Sequence, residues 1–195
     1  MKELIIASNN ENKLKEYRSI LKDFNFDIKS QSEAGINIEV EETGTTFEEN
    51  SKLKADAIFE LTHKNVIADD SGLMINALNG EPGVYSARYK GLKNADQRNG
   101  YILGRLESES DRTATFVTTI YYIDETGHAE LFKGLWNGSI SDRIRGEEGF
   151  GYDPIFIPEG ETKTTAELGI EYKNANSHRA RATKELVKYL KKTTH

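Results

Sequence analysis

Thr113-Ala114-Thr115-Phe116-Val117-Thr118-Thr119-Ile120-Tyr121-Tyr122-Ile123 is the strongest strand signal in the chain. β-Branched and aromatic residues fill it, and Phe116, Thr118, Ile120 and Tyr122 share one face. Asp124-Glu125-Thr126-Gly127 reads as a turn, so Ala129 to Ile140 returns as the second arm of a long hairpin. Upstream of it, strands alternate with helices. Leu4 to Ala7 is a short buried strand, stopped by Ser8-Asn9-Asn10, residues that favour turns and caps. Leu14, Tyr17 and Leu21 then recur at helical spacing and predict a helix from Asn12 to Lys22, followed by a strand from Phe26 to Ser30.

Thr45 with Glu48 and Thr46 with Glu49 make two overlapping capping boxes. Phe47, Leu53, Ala57, Ile58 and Leu61 follow on one broad face, so a helix runs from Phe47 to Leu61. Val66-Ile67-Ala68 is a buried strand that ends in Asp69-Asp70-Ser71-Gly72. Asn94 caps a helix from Ala95 to Leu106, Pro154 to Pro158 is a short strand suited to a sheet edge, and Ser177 caps a last helix reaching Lys192. Lys188, Lys191 and Lys192 near its end suit the helix dipole. Alternation followed by a long hairpin predicts an α/β fold with a mixed central sheet flanked by helices.

The 195 residues fit one domain, 1–195, with a sizeable core. A formal net charge of -6 argues against a general nucleic-acid binder, whose footprint would be basic. With no cysteine, disulfides, thiol catalysis and zinc-thiolate sites are excluded. His63, His128, His178 and His195 are far apart, without metal-ligand spacing. No apolar run approaches membrane-spanning length, and Met1 to Ala7 is too short and too soon polar for a signal peptide, so a cytoplasmic protein is expected.

Five groups of residues could carry chemistry. Ser8-Asn9-Asn10-Glu11-Asn12-Lys13 joins a strand to a helix N-terminus, where backbone N–H groups and a lysine attract phosphate, although capped helices of this kind are common. Asp69 and Asp70 close an apolar strand, the place where ligands gather in open α/β sheets. Paired carboxylates suit Mg²⁺, and one of them could take a proton from an attacking water; Ser71 could donate to a phosphate. Glu41 and Glu42 could complete that metal site. Gly149-Phe150-Gly151-Tyr152-Asp153-Pro154 combines close backbone approach with a ring that can stack on a nucleobase, and Asp153 could accept from a base N–H. Lys173 and His178-Arg179 place cations at a helix N-terminus, which suits a bound anion. Acids for a metal, cations for phosphates and an aromatic turn for a base together fit a nucleoside triphosphate with Mg²⁺.

Taken in order, these segments resemble the inosine triphosphate pyrophosphatase family. The resemblance runs from Ile5 to Leu186. It rests on Ala7-Ser8-Asn9-Asn10 with Lys13 and Glu16, Glu41-Glu42-Thr43-Gly44 with Phe47 and Asn50, and Ala68 to Leu73. Gly83-Val84-Tyr85-Ser86-Ala87-Arg88-Tyr89, Gly149 to Pro154, Ala166-Glu167-Leu168 and Ser177-His178-Arg179 continue it. It implies an elongated fold with two lobes around a central substrate cleft, a homodimer, and Mg²⁺-dependent hydrolysis of ITP, dITP and XTP to the monophosphate and pyrophosphate. By position Asp70 is the implied proton acceptor, and Glu41 with Asp70 the implied magnesium site. Ser8 to Lys13, Ser71 and Lys173 match phosphate- and sugar-side contacts. Phe150, Gly151, Tyr152, Asp153, His178 and Arg179 match base-side contacts. Many relatives carry glycine where this chain has Asn9 and Asn12, and asparagine tolerates a left-handed backbone.

Two other readings compete. A nucleotide-binding regulator that does not hydrolyse has little use for four acids near a polyanion. A nucleic-acid-binding module is disfavoured by the net acidity.

Overall fold

The computed structural model describes residues 1–193; Thr194, His195 and the side chain of Asn12 lie outside the described residues. Strand β1 (Lys2–Ile6) leads into helix α1 (Glu11–Ile20), strand β2 (Phe26–Ser30), helix α2 (Phe47–Thr62) and strand β3 (Asn65–Ile75). Two 3-10 segments, Asn76–Leu78 and Gly83–Gly91, precede helix α3 (Ala95–Arg105). Strands β4 (Thr113–Ile123), β5 (Ala129–Ile140) and β6 (Phe156–Pro158) follow, then helices α4 (Thr165–Leu168), α5 (Ile170–Asn176) and α6 (His178–Thr193). The sheet order is β2-β1-β3-β4-β5-β6. β1 runs parallel to β2 and β3, whereas β5 and β6 are antiparallel, so the sheet is mixed as expected. β6 takes the edge position that its flanking prolines suggested.

Four expectations need correction. β3 does not end at Ala68 but continues through Asp69-Asp70-Ser71-Gly72 to Ile75. Its acids are paired with side chains, which lets a polar tetrapeptide stay in a buried strand. Only Thr46 with Glu49 forms the capping box of α2; Glu48 instead pairs with Lys133, 2.6 Å away. The buried face of α2 is Phe47, Asn50, Ser51, Ala55 and Ile58, while Leu53 and Leu61 are exposed. Finally, α4, α5 and the 3-10 segment at Gly83–Gly91 were not expected as helices.

The chain divides into two compact units. The first comprises Met1–Asp70, Thr119–Lys133 and the chain from Ala182 on. Its strands present alternate residues to opposite faces. Leu4, Ile6, Ile67, Ile120 and Tyr122 pack with Leu14, Tyr17 and Leu21 of α1 and with Ala182, Leu186 and Leu190 of α6. Ile5, Ala7, Val66, Ala68 and Ile123 pack with Ala55 and Ile58 of α2. The second unit comprises Ser71–Thr118 and Gly134–Arg181. Its core gathers Leu73 and Ile75 of β3, Phe116 of β4, Trp136 of β5, Phe156 of β6, and Tyr89 and Tyr152.

Those two tyrosines set an alkaline limit. Burial is the main cause that raises both phenols from their ordinary value to about 12; for Tyr89 the Glu81 carboxylate, 2.5 Å from its hydroxyl, adds to it. In the unfolded chain they titrate near 10. The folded state therefore favours the neutral phenols. Their contribution is complete below about pH 10 and is lost as the pH rises through about 12. Urea midpoints measured from pH 8 to 12 are expected to hold and then fall over that window. Replacing Tyr89 by phenylalanine should flatten part of the fall, and an unchanged profile would remove Tyr89 as a cause.

Candidate active site

Strand alternation separates the two adjacent aspartates. Ile67 faces α1, whereas Val66 and Ala68 face α2. Asp69 therefore points toward α1 and Asp70 toward α2. The contacts agree. Lys13 of α1 places Nζ 3.0 Å from Asp69 Oδ1. Asn50 of α2 donates from Nδ2 to Asp70 Oδ2 at 3.2 Å. Lys54, one turn further along α2, lies 2.7 Å from Glu42 Oε1, donates to the Asp69 carbonyl at 2.8 Å and stands 3.9 Å from Asp70 Oδ1.

The glutamate loop is tied to the same place. The backbone N–H of Gly44 donates to Asn50 Oδ1 at 2.8 Å, so one amide side chain holds both the loop and Asp70. A Cβ at position 44 would lie 2.6 Å from that oxygen, so glycine is what permits the approach. Glu42 is half-buried at Lys54, and Glu41 is exposed beside it in sequence.

Burial pushes the Asp70 carboxyl above its ordinary range; Lys54 opposes this and Glu42 adds to it. A carboxylate in this environment is a better proton acceptor than one free in water. Among the described residues no group of three or more His, Cys, Asp or Glu side chains forms a ready metal cage. Magnesium does not require one, since it commonly binds through one or two carboxylates together with water and substrate phosphates. Asp70 and the carboxylates of the tethered loop fit that requirement.

The first loop is built by its own side chains. Ser8 Oγ accepts from the Asn10 N–H at 3.1 Å, and Asn10 Oδ1 accepts from the Lys13 N–H at 3.3 Å, capping α1. Asn9 Oδ1 accepts from the Ser32 N–H at 3.0 Å, so it anchors the loop to the chain after β2. Glu11 is the exposed first residue of the helix.

In the second unit, Gly149-Phe150-Gly151-Tyr152-Asp153 forms a tight turn around the Asp153 carboxylate. Asp153 Oδ2 accepts from the Phe150 N–H at 2.8 Å and from Lys173 Nζ at 2.5 Å. Gly149 has φ +83°, and a Cβ there would meet that oxygen at 2.2 Å. Lys173 Nζ also sits 3.7 Å from the centroid of the Phe150 ring. Sequence alone grouped Lys173 with phosphate contacts; the structure puts it with the aromatic turn. The turn is held from behind as well. Asn99 of α3 donates to the Gly151 carbonyl at 3.1 Å, and the Tyr152 hydroxyl donates to the Ser86 carbonyl at 2.7 Å. Phe150 is 50% exposed, whereas Tyr152 and Asp153 beside it are buried.

Ser71, His178 and Arg179 meet on the face of β4. Thr118 Oγ1 is 2.8 Å from Ser71 Oγ, which accepts from Arg179 at 3.4 Å. Two residues away on the same face, the Phe116 ring stacks on the His178 imidazole. Both His178 and Arg179 are 5% exposed, so neither is a solvated surface residue.

Sequence reasoning missed Lys54 altogether and gave Asn50 no role. A signal existed: Asn50 and Lys54 are four apart, hence neighbours on one helix face. Phe116 and Thr118 were read only as strand residues.

A mixed six-stranded sheet flanked by helices, carrying buried carboxylates paired with lysines, makes this an α/β protein with a polar candidate site. The comparisons with known proteins agree. The Ham1 family profile matches residues 4–189. A dITP/XTP pyrophosphatase of Bacillus subtilis (strain 168) is 47% identical over 193 residues, covering 97% of this chain and 98% of its own. The Ham1 protein structure of Staphylococcus aureus superposes with a TM-score of 0.92 at 44% identity, over 97% of this chain and 98% of that one. A HAM1 protein structure from Coxiella burnetii gives 0.93 at 39% identity, over 99% and 100%. The chain belongs to the Ham1 family, and the resemblance drawn from its motifs is borne out.

Proposed function

We propose that this chain hydrolyses noncanonical purine nucleoside triphosphates, ITP, dITP and XTP, to the monophosphate and pyrophosphate. The observation that carries the reading is Asp70: a buried carboxylate of raised proton affinity, held by Asn50 and flanked by Lys54. Such a group can orient a water molecule and accept its proton as the water oxygen bonds to phosphorus. The α–β phosphoanhydride then breaks and pyrophosphate leaves. Asp69 is paired with Lys13 at 3.0 Å, while burial raises the proton affinity of Asp70, so Asp70 is the base of choice. No covalent intermediate is needed.

Asp70 and the Glu41-Glu42 loop would hold magnesium, which when bound neutralises charge on the phosphates. Ser8 to Lys13 and Ser71 bind the phosphate chain. Phe150 offers its exposed face to the purine, with Gly151, Tyr152, Asp153 and Lys173 shaping that turn. His178 and Arg179 read the base edge. Hypoxanthine and xanthine carry a 6-oxo group and N1–H, and adenine has neither. A site built for the oxo edge leaves buried groups unpaired with adenine, which can discriminate by orders of magnitude. The chain acts as a single catalytic domain, as a homodimer, on the cytoplasmic nucleotide pool. Among the described residues no helix is long and apolar enough to cross a membrane.

The test is to incubate the protein with ITP, XTP, dITP, ATP and GTP, with and without Mg²⁺, and to identify products by chromatography. Pyrophosphate from ITP, XTP and dITP is expected; orthophosphate release or no turnover would sink the reading. Lys54 supplies a second check. Because it lowers the Asp70 pKa, Lys54→Met should shift the acidic limb of kcat/KM for ITP to higher pH at fixed Mg²⁺. An unmoved limb would separate Lys54 from the base.

A further inference from the structure

We propose that Phe116 is a positioning residue for purine selectivity, fixing the plane in which the His178 imidazole meets the base edge. This rests on the assignment of His178 to that edge. The two rings lie 4.7 Å apart between centroids and 8° from parallel. Phe116 is itself held: the Phe156 ring meets it edge-on at 4.6 Å and 63°, and Trp136 lies at 6.5 Å. Trp136 also flanks His178, at 6.3 Å and 21°. Residues of β4, β5 and β6 thus present one aromatic wall to the first residue of α6.

The physical need is clear. A hydrogen bond from imidazole lies in the ring plane and weakens steeply when misaligned. The terminal torsion of histidine is broad, so the side chain does not fix its own plane. A stacked ring removes that freedom, because turning the imidazole would drive its edge into the phenyl face. Phe116 touches no substrate in this account; it acts through His178.

The experiment compares kcat/KM for ITP and ATP in four proteins: unaltered, His178→Ala, Phe116→Met and Phe116→Tyr. Methionine fills similar volume without a planar face, and tyrosine keeps the face. Phe116→Met is expected to shrink the ITP/ATP ratio by about three- to tenfold, the size of one aromatic pair. Phe116→Tyr should restore it to within about twofold of the unaltered ratio, well short of that one-pair effect. A merely structural role predicts equal losses on both substrates, and that outcome overturns the proposal. So does a collapsed ratio in His178→Ala beside an intact one in Phe116→Met. An intact ratio in His178→Ala overturns the assignment of His178 and the proposal with it. A second readout needs no variant. In the unaltered protein, proton NMR should show the imidazole protons shifted upfield by the phenyl ring, both free and with inosine monophosphate bound. Loss of that shift on binding means the imidazole leaves Phe116, and the proposal fails.

Discussion

Asp70→Asn is expected to raise the melting temperature at neutral pH while lowering kcat for ITP by about 10²–10⁴-fold, the usual worth of a positioned base. The two effects share one cause. Burial raises the folded-state pKa of Asp70 above its unfolded value. The neutral carboxyl is therefore the form that the fold prefers. Its contribution is complete below the unfolded pKa, about 3.9, and is lost as the pH rises through the folded value. At neutral pH the native protein carries an ionised carboxylate at a cost to stability. Asparagine has the same shape and no charge, and its carbonyl can still accept from Asn50. Thermal melts without Mg²⁺ should show the variant above the parent at pH 7. The gap should narrow as the pH falls through the folded value and close below the unfolded one, where the carboxyl is protonated in both states. A variant that melts lower than the parent at pH 7, or keeps near-normal turnover at saturating Mg²⁺, would remove Asp70 from the centre of the mechanism.

The same residues show what a sequence does and does not make legible. The hairpin of β4 and β5 was plain because period-two patterning and a Gly-containing turn are local signals. β3 was cut short at Ala68 because four polar residues in a row look like a turn. They stay in the strand because their partners come from elsewhere: Lys13 from α1, Asn50 and Lys54 from α2, Thr118 from β4. With the strand ended, nothing separated Asp69 from Asp70; once it continues, alternation sends them to different helices. Helix α2 went wrong for a related reason. Leu53 and Leu61 look like core by hydropathy, yet the face turned inward includes Asn50 and Ser51. Polar residues replace apolar ones on that face because one of them must reach a carboxylate. Lys173 could not be placed because its partner Asp153 is twenty residues away, with β6 and α4 between them.

That lysine carries the largest expected effect on stability. Lys173→Ala should destabilise the second unit by about 3–5 kcal/mol, because it leaves a buried carboxylate without its cation. Asp153 is 1% exposed, and its Oδ2 sits where the Phe150 N–H and Lys173 Nζ converge. One backbone N–H remains in the variant, which is not enough to balance an ionised group out of water. The ring of Phe150 also loses the ammonium 3.7 Å from its centroid, so the aromatic turn loosens along with the pair. Removing both charges at once separates the pair from its burial. Lys173→Met with Asp153→Asn fills the same space, and the asparagine carbonyl can accept from the Phe150 N–H. Replacing a buried ion pair by neutral groups of like size is often neutral or better. The double variant is therefore expected to recover most of the urea midpoint lost by Lys173→Ala. Its affinity for inosine monophosphate then reads the function of the lysine free of the folding cost. If Lys173→Ala unfolds at the parent's midpoint, Asp153 is not relying on Lys173, and the pair is not what holds the turn.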